Sequence, residues 1–129
     1  MKRILTTLAV LAATTCMPVL AQTTGEITKS NCKAASEACQ KAIDYCNEKK
    51  GKFGSASTTN ALKDCMDSLH ATGQLLGRDS KFASRSASIS LDACNEAAKV
   101  CDQFKGDSEL TSCANEVRKA AGNLSKVAK

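Results

Sequence analysis

The sequence predicts an all-α fold, an antiparallel four-helix bundle with up-down-up-down topology. Apolar residues recur at spacings of three and four through four separate segments, as they do on the buried face of a helix. Short stretches rich in Gly, Ser and Asp separate these segments, and no alternating run of β-branched and aromatic residues is long enough for a strand. Four amphipathic helices with short connections favour such a bundle, and 129 residues suffice for one domain.

The first two helices are predicted over residues 30–50 and 59–76. The buried stripe of the first contains Cys32, Ala35, Cys39, Ala42 and Cys46. Lys49 and Lys50 suit the negative end of its dipole. After a Gly- and Ser-containing linker, Thr58 or Thr59 is available to cap the second helix. The stripe of the second contains Leu62, Cys65, Leu69, Thr72 and Leu76.

The third and fourth helices are predicted over residues 80–104 and 108–127. The third aligns Ser84, Ala87, Leu91, Cys94, Ala98 and Cys101. Gly106 ends it, and Asp107 or Ser108 caps the fourth. The fourth aligns Leu110, Cys113, Val117, Ala120 or Ala121, Leu124 and Val127.

The first 21 residues are predicted to be a secretory signal peptide. Lys2 and Arg3 precede a short apolar run, and cleavage is expected after Ala21. Cys16 raises a rival hypothesis, a lipoprotein cysteine, although the residues before it fit that processing poorly. We therefore expect a periplasmic or secreted protein, with a flexible tail over residues 22–29 and the bundle over 30–129.

Composition excludes several functional classes. The net charge of +5 is scattered, without the clustered basic and aromatic residues of a nucleic-acid surface. After the signal, no segment approaches the roughly 18 apolar residues of a membrane span. The single histidine, His70, lies in no hydrolase motif. The protein is therefore not expected to be an enzyme.

Cysteine is the unusual residue, with seven predicted in the mature chain: Cys32, Cys39, Cys46, Cys65, Cys94, Cys101 and Cys113. Several are seven positions apart, about two helical turns or roughly 10.5 Å, so any disulfide must join different helices. Pairings 46–65, 101–113 and 39–94 are sensible, and others are nearly as plausible. An odd count leaves one thiol for a monomer or a disulfide-linked dimer. The core has few large apolar residues, and this favours a disulfide or metal staple.

The mature chain resembles the cysteine-rich four-helix-bundle copper storage proteins of bacteria. The likeness lies in Leu91-Asp92-Ala93-Cys94 continuing to Cys101, the helix around Cys113 and the helix carrying the first three mature cysteines. The resemblance implies that all seven core cysteines bind Cu(I), which prefers sulfur ligands. The adjacent-turn C-x-x-x-C pairs of that family are absent: Ile43, Leu69 and Ala98 stand four residues after a cysteine. Each ion would then need sulfurs from different helices, and only a few ions would fit.

Met66 and His70 share a helix face beside Cys65 and are candidate accessory copper ligands, although both lie just off the core stripe and are more typical of surface positions. The first functional hypothesis is an exported bundle that binds a few Cu(I) ions and so sequesters or buffers copper. The alternative is a disulfide-stapled structural or interaction bundle, periplasmic or extracellular, that holds no metal.

Overall fold

A computed structural model describes residues 23–129, and within that range the chain forms four α-helices and no strand. The helices are α1 (Thr24–Lys49), α2 (Ala56–Gly77), α3 (Ala83–Asp102) and α4 (Ser108–Val127), with a 3-10 turn at Gly51–Gly54. Each helix packs against the next, and α4 packs against α1. The predicted up-down-up-down bundle is thus confirmed. The predicted signal peptide lies outside the described residues.

The N-terminal tail was predicted wrongly, because α1 begins at Thr24 and not near residue 30. Thr23 caps α1: its hydroxyl accepts from the Glu26 amide at 3.0 Å, and the Glu26 carboxylate accepts from the Thr23 amide at 3.0 Å. This capping box satisfies two amides that the helix leaves unpaired. Thr28, on the following turn, is fully buried. The segment therefore contributes to the bundle.

The remaining helix boundaries differ from prediction by a few residues. Ser55, and neither predicted threonine, caps α2 and accepts from the Thr58 amide. Helix α3 is shorter than predicted at both ends. Asp107 caps α4 as predicted, accepting from the Leu110 amide at 3.0 Å. It follows Gly106, whose φ of +87° lies in the left-handed region that glycine adopts without strain.

One end of the bundle, here called the aromatic end, carries the α1–α2 and α3–α4 connections. Phe53 stacks on Phe104 with ring centroids 4.8 Å apart, and Tyr45 meets Phe53 edge-on at 5.9 Å. The Tyr45 hydroxyl donates a hydrogen bond to the Asp107 carboxylate. These contacts cover the aromatic end and tie α1 to the start of α4.

The opposite end, here called the terminal end, carries the α2–α3 connection and both ends of the described chain. The buried Thr72 hydroxyl lies 2.6 Å from the Ser86 hydroxyl and 2.8 Å from the Ser90 hydroxyl. Hydroxyls therefore hold α2 to α3 there. Within residues 23–129, none of the helices is both long and apolar enough to cross a membrane.

Candidate functional site

All seven predicted site cysteines lie inside the bundle, with side chains 0–2% exposed. Every one is a free thiol: Cys32, Cys39 and Cys46 on α1, Cys65 on α2, Cys94 and Cys101 on α3, and Cys113 on α4. The 3.6-residue period puts them on the inner face of each helix. Sulfur therefore reaches the core from all four helices.

Five of the sulfurs form a continuous line through the core. The Cys65 and Cys94 sulfurs are 3.4 Å apart, in hydrogen-bonding contact. Cys39 interacts with Cys65 and Cys113, each of which shifts its pKa, and Cys113 interacts in the same way with Cys101. We call this line the five-sulfur chain, and its order is Cys94, Cys65, Cys39, Cys113 and Cys101.

The five-sulfur chain links four pairs of helices by one sulfur pair each. Its consecutive members lie on α3, α2, α1, α4 and again α3. The four sulfur pairs therefore fall at the α2–α3, α1–α2, α1–α4 and α3–α4 interfaces.

The other two cysteines flank the five-sulfur chain. Cys32 interacts electrostatically with Cys94, while Cys46 interacts in the same way with Cys101. Burial raises the pKa of the Cys32 thiol to about 12, with a smaller contribution from Cys94. Burial likewise raises the pKa of Cys46. Both flanking thiols are therefore protonated at neutral pH in the absence of metal.

The pKa of Cys39, which lies at the middle of the five-sulfur chain, is shifted in the opposite direction. The interactions of Cys39 with Cys113, and next with Cys65, lower the pKa of Cys39 below its ordinary value, against the opposing effect of burial. The pKa of Cys65 is raised, first by its hydrogen bond with Cys39 and next by that with Cys94. The two thiols influence one another, so the first proton lost from Cys39 and Cys65 belongs to the pair and not to one sulfur.

The sulfurs of the five-sulfur chain approach one another in successive pairs and do not surround a common point. Across residues 23–129, no three His, Cys, Asp or Glu side chains form a group able to hold one metal ion. Fully buried alanines, among them Ala35, Ala87 and Ala97, lie in the same core as the sulfurs. Because these alanine side chains are small, they leave the cysteine sulfurs of different helices next to one another across the bundle. The arrangement suits a soft ion that accepts two ligands from different helices.

The candidate accessory residues are not brought together with the five-sulfur chain. Met66 is half-buried and packs at the edge of the core. His70 is exposed, and it lines a groove between α1 and α2 that also reaches Cys32. Of the three predicted disulfide pairs, 101–113 joins neighbours in the five-sulfur chain, whereas Cys65 lies between Cys39 and Cys94. For the pair 46–65, Cys46 flanks the chain beside Cys101.

A family model described as copper storage protein matches residues 8–129. The chain belongs to the copper storage protein family. The resemblance noted in the sequence is thereby confirmed, and the family is one of storage and not of catalysis. A comparison with curated proteins gave no match.

This chain shares its fold with a solved structure that is described as a Cu(I)-bound copper storage protein, BsCsp3. The two superpose with a TM-score of 0.77 over 83% of this chain and 100% of that one, at 17% sequence identity. The bundle is therefore retained although most side chains differ. The absence of C-x-x-x-C pairs is a property of this chain's own sequence.

Proposed function

We propose that the protein sequesters Cu(I) inside its bundle, binding each ion between cysteine sulfurs of neighbouring helices. The observation that carries this proposal is the five-sulfur chain, in which one sulfur pair lies at each helix interface. Membership of the copper storage protein family supports copper as the cargo, and BsCsp3 is described as Cu(I)-bound. Cu(I) is a soft ion that prefers thiolate ligands.

Binding replaces thiol protons by copper. A thiol must lose its proton to ligate a metal, so each ion that enters releases protons. Cys39 belongs to two sulfur pairs, one with Cys65 and one with Cys113, and the first ion is expected at one of them. Further ions extend outward along the chain, with interior sulfurs bridging two ions. Four sulfur pairs set a capacity of a few ions, and the flanking Cys32 and Cys46 add to it.

The test is a Cu(I) titration of the reduced, metal-free protein in competition with the chromogenic chelator bicinchoninate. The variant Cys39→Ser/Cys94→Ser/Cys101→Ser removes a member of all four pairs, and we expect it to lose most of the bound copper. The matched control is Cys32→Ser/Cys46→Ser, which leaves the five-sulfur chain intact and should keep most of it. Circular dichroism checks that both variants fold. Wild-type copper content in the triple variant would overturn the proposal.

We also propose that the protein is exported, with residues 1–21 removed, and that it takes up copper as a reduced bundle. The apolar run and the small residues before Gln22 support this. Intact mass of protein from cell fractions tests it: export predicts a chain beginning at Gln22 in the periplasm or medium. A full-length chain confined to the cytoplasm would contradict it.

A second hypothesis is the disulfide-stapled bundle without metal. The observation in its favour is the contact of the Cys65 and Cys94 sulfurs, together with that of Cys101 and Cys113. A thiol count on protein isolated without reductant separates the two. About one thiol per mature chain would favour the stapled bundle, and seven thiols with added copper mass would favour sequestration.

A further inference from the structure

A groove of about 550 Å³ opens between α1 and α2, in the half of the bundle nearer the terminal end. Cys32 lies at its floor, and Gly73 lies across from it on α2. A Cβ added to Gly73 would come 3.7 Å from the Cys32 Cβ, so α2 approaches the cysteine closely with no side chain at that point. Cys32 is therefore the sulfur that borders this groove.

Cys32 has an unusual position among the seven cysteines. The residue is 1% exposed, yet its thiol makes no hydrogen bond with any side chain in the described range 23–129. Its nearest electrostatic partner among the sulfurs is Cys94, the first member of the five-sulfur chain. Cys32 thus lies between the groove and one end of that chain.

The groove carries a net positive charge. Lys29, Lys33 and Arg78 line it against the single carboxylate of Glu37. The Lys29 ammonium is directed into the groove beside Gly77, where an added Cβ would lie 3.1 Å from Nζ. His70, the one histidine of the sequence, is exposed at the same groove. A cluster of cationic side chains beside a cysteine, whose sulfur binds soft metal ions, favours an anionic molecule that carries such an ion.

The neighbouring groove, between α2 and α3, has the opposite charge, so the two grooves attract different ligands. The groove between α2 and α3 is lined by four carboxylates and no basic residue: Asp64, Asp67, Asp92 and Glu96. An anionic ligand is therefore attracted to the α1–α2 groove and repelled from the α2–α3 groove.

We propose that the α1–α2 groove is a loading site, at which Cu(I) bound to a small anionic thiol is transferred to Cys32 with His70 as a second ligand during the exchange. This inference rests on the proposed function. The cations hold the carboxylates of the carrier, while Cys32 and His70 compete for its copper. The ion then passes from Cys32 to Cys94 and into the five-sulfur chain.

The transfer is a ligand exchange without a redox change. The bond from copper to the Cys32 sulfur forms, and the bond from copper to the carrier sulfur breaks. The proton of the Cys32 thiol passes to the departing carrier thiolate. A ring nitrogen of His70 donates its lone pair to copper during the exchange, and this bond breaks when the ion moves on. Copper remains Cu(I) throughout.

The experiment measures the rate at which the reduced, metal-free protein takes up copper, followed by the ultraviolet absorption of copper–thiolate bonds in a stopped-flow instrument. Two carriers are used: Cu(I) in excess glutathione, which is anionic, and Cu(I) in excess cysteamine, which is cationic. The wild-type protein should load faster from glutathione, and this preference should shrink as salt is added.

The variant Lys29→Gln/Lys33→Gln tests the groove charges, with Lys119→Gln/Lys126→Gln on the exposed face of α4 as the control of equal charge change. We expect the groove variant to load from glutathione about 3- to 10-fold more slowly, and to load from cysteamine at least as fast as the wild type, because fewer like charges repel that carrier. The control should load like the wild type. Equal rates for the groove variant and the control would overturn the proposal.

The variants Cys32→Ser and His70→Gln test the receiving ligands. Both should load more slowly from either carrier, and wild-type loading rates in both would also overturn the loading site. The final copper content is recorded in every run. A wild-type protein that binds no copper contradicts the proposed function itself, whereas full content with unaltered rates contradicts the loading site alone.

Discussion

At the scale of single residues, the position of a cysteine along the five-sulfur chain decides how many sulfur pairs it serves. Cys39 is an interior member with two neighbours, Cys65 and Cys113, and it belongs to two pairs. Cys101 is an end member whose neighbour in the chain is Cys113, and it belongs to one pair. Both are buried thiols, so burial alone does not distinguish them.

Cys39→Ser should therefore lose about twice as much bound copper as Cys101→Ser. The first substitution removes two of the four sulfur pairs, and the second removes one. Copper per chain, measured by atomic absorption after gel filtration of saturated protein, checks this ratio. Equal losses in the two variants would show that copper is not bound along the chain in this order.

Asp107 is a second residue whose role can be isolated. It caps α4, and its carboxylate also accepts the Tyr45 hydrogen bond that crosses the aromatic end. The Tyr45 hydroxyl, followed by the Leu110 amide, holds the pKa of the Asp107 carboxyl below its ordinary value. A lowered folded-state pKa contributes stability above the unfolded-state pKa, and that stability is lost as the pH falls through the folded-state value.

Asp107→Asn should thus flatten the acid side of the stability curve. The asparagine keeps a capping oxygen but carries no titrating charge. Urea unfolding of the metal-free, reduced protein at a series of pH values from neutrality to below about 4 measures the effect. Tyr45→Phe is the companion variant, since it removes the hydrogen bond and leaves the carboxylate. An Asn variant with the same acid dependence as the wild type would contradict this assignment.

At the scale of helices and their connections, the two ends of the bundle are held by different chemistry. Stacked aromatic rings cover the aromatic end, while the hydroxyls of Thr72, Ser86 and Ser90 join α2 to α3 near the terminal end. The hydroxyl contacts lie outside the five-sulfur chain. Stability and copper capacity are therefore separable in this part of the molecule.

Thr72→Val should lower the free energy of unfolding by about 1–3 kcal/mol, because it leaves the buried Ser90 hydroxyl without this partner. Thr72→Ser keeps the hydroxyl and is the matched control. Urea unfolding of the metal-free protein gives the free energy, and a Cu(I) titration of the same variants should give wild-type content. A Val variant as stable as the Ser variant would show that these hydroxyls contribute little.

The sequence predicts the helices better than it predicts their ends. Periodic apolar positions identify all four helices, because the buried stripe of each repeats over several turns. The start of α1 was missed because residues 22–29 are polar, although Thr23 and Glu26 have the spacing of a capping box. The cap of α2 was misplaced because several Ser and Thr residues near Ser55 are equally suitable by type.

For the site, the sequence predicts which sulfurs are buried but not the order in which they meet. Inward placement follows from helical period alone. Which sulfur touches which depends on the rotation of each helix about its axis and on its height, which small shifts in packing decide. Cys39 was paired with Cys94 by height, whereas Cys65 lies between them. The positive charge of the groove was not predicted, because Lys29 and Lys33 lie on α1 whereas Arg78 follows the end of α2.

At the scale of the whole molecule, copper and the fold are expected to depend on each other. The core contains seven thiols and many alanines, with few large apolar side chains. Sulfur atoms that lie close together in the folded bundle are far apart in an unfolded chain. A ligand that binds only the folded state stabilises it by an amount that grows with its concentration above the dissociation constant.

Saturation with Cu(I) should therefore raise the thermal midpoint of the reduced protein, and addition of bicinchoninate should reverse the shift. Circular dichroism at a fixed protein concentration measures both. The variant Cys39→Ser/Cys94→Ser/Cys101→Ser is the control, and its midpoint should respond little to copper. A wild-type midpoint that does not move at saturating copper would mean that binding does not require the folded bundle.

The order of the five-sulfur chain has a mechanical consequence. Because its four pairs join α3 to α2, α2 to α1, α1 to α4 and α4 back to α3, copper in all of them forms a closed belt around the bundle axis. Each helix is then held to two others by metal bonds as well as by the peptide chain. In a filled bundle, a protease cut in any connection between helices leaves the fragments bound to one another, and the cargo stays inside until the belt itself is opened.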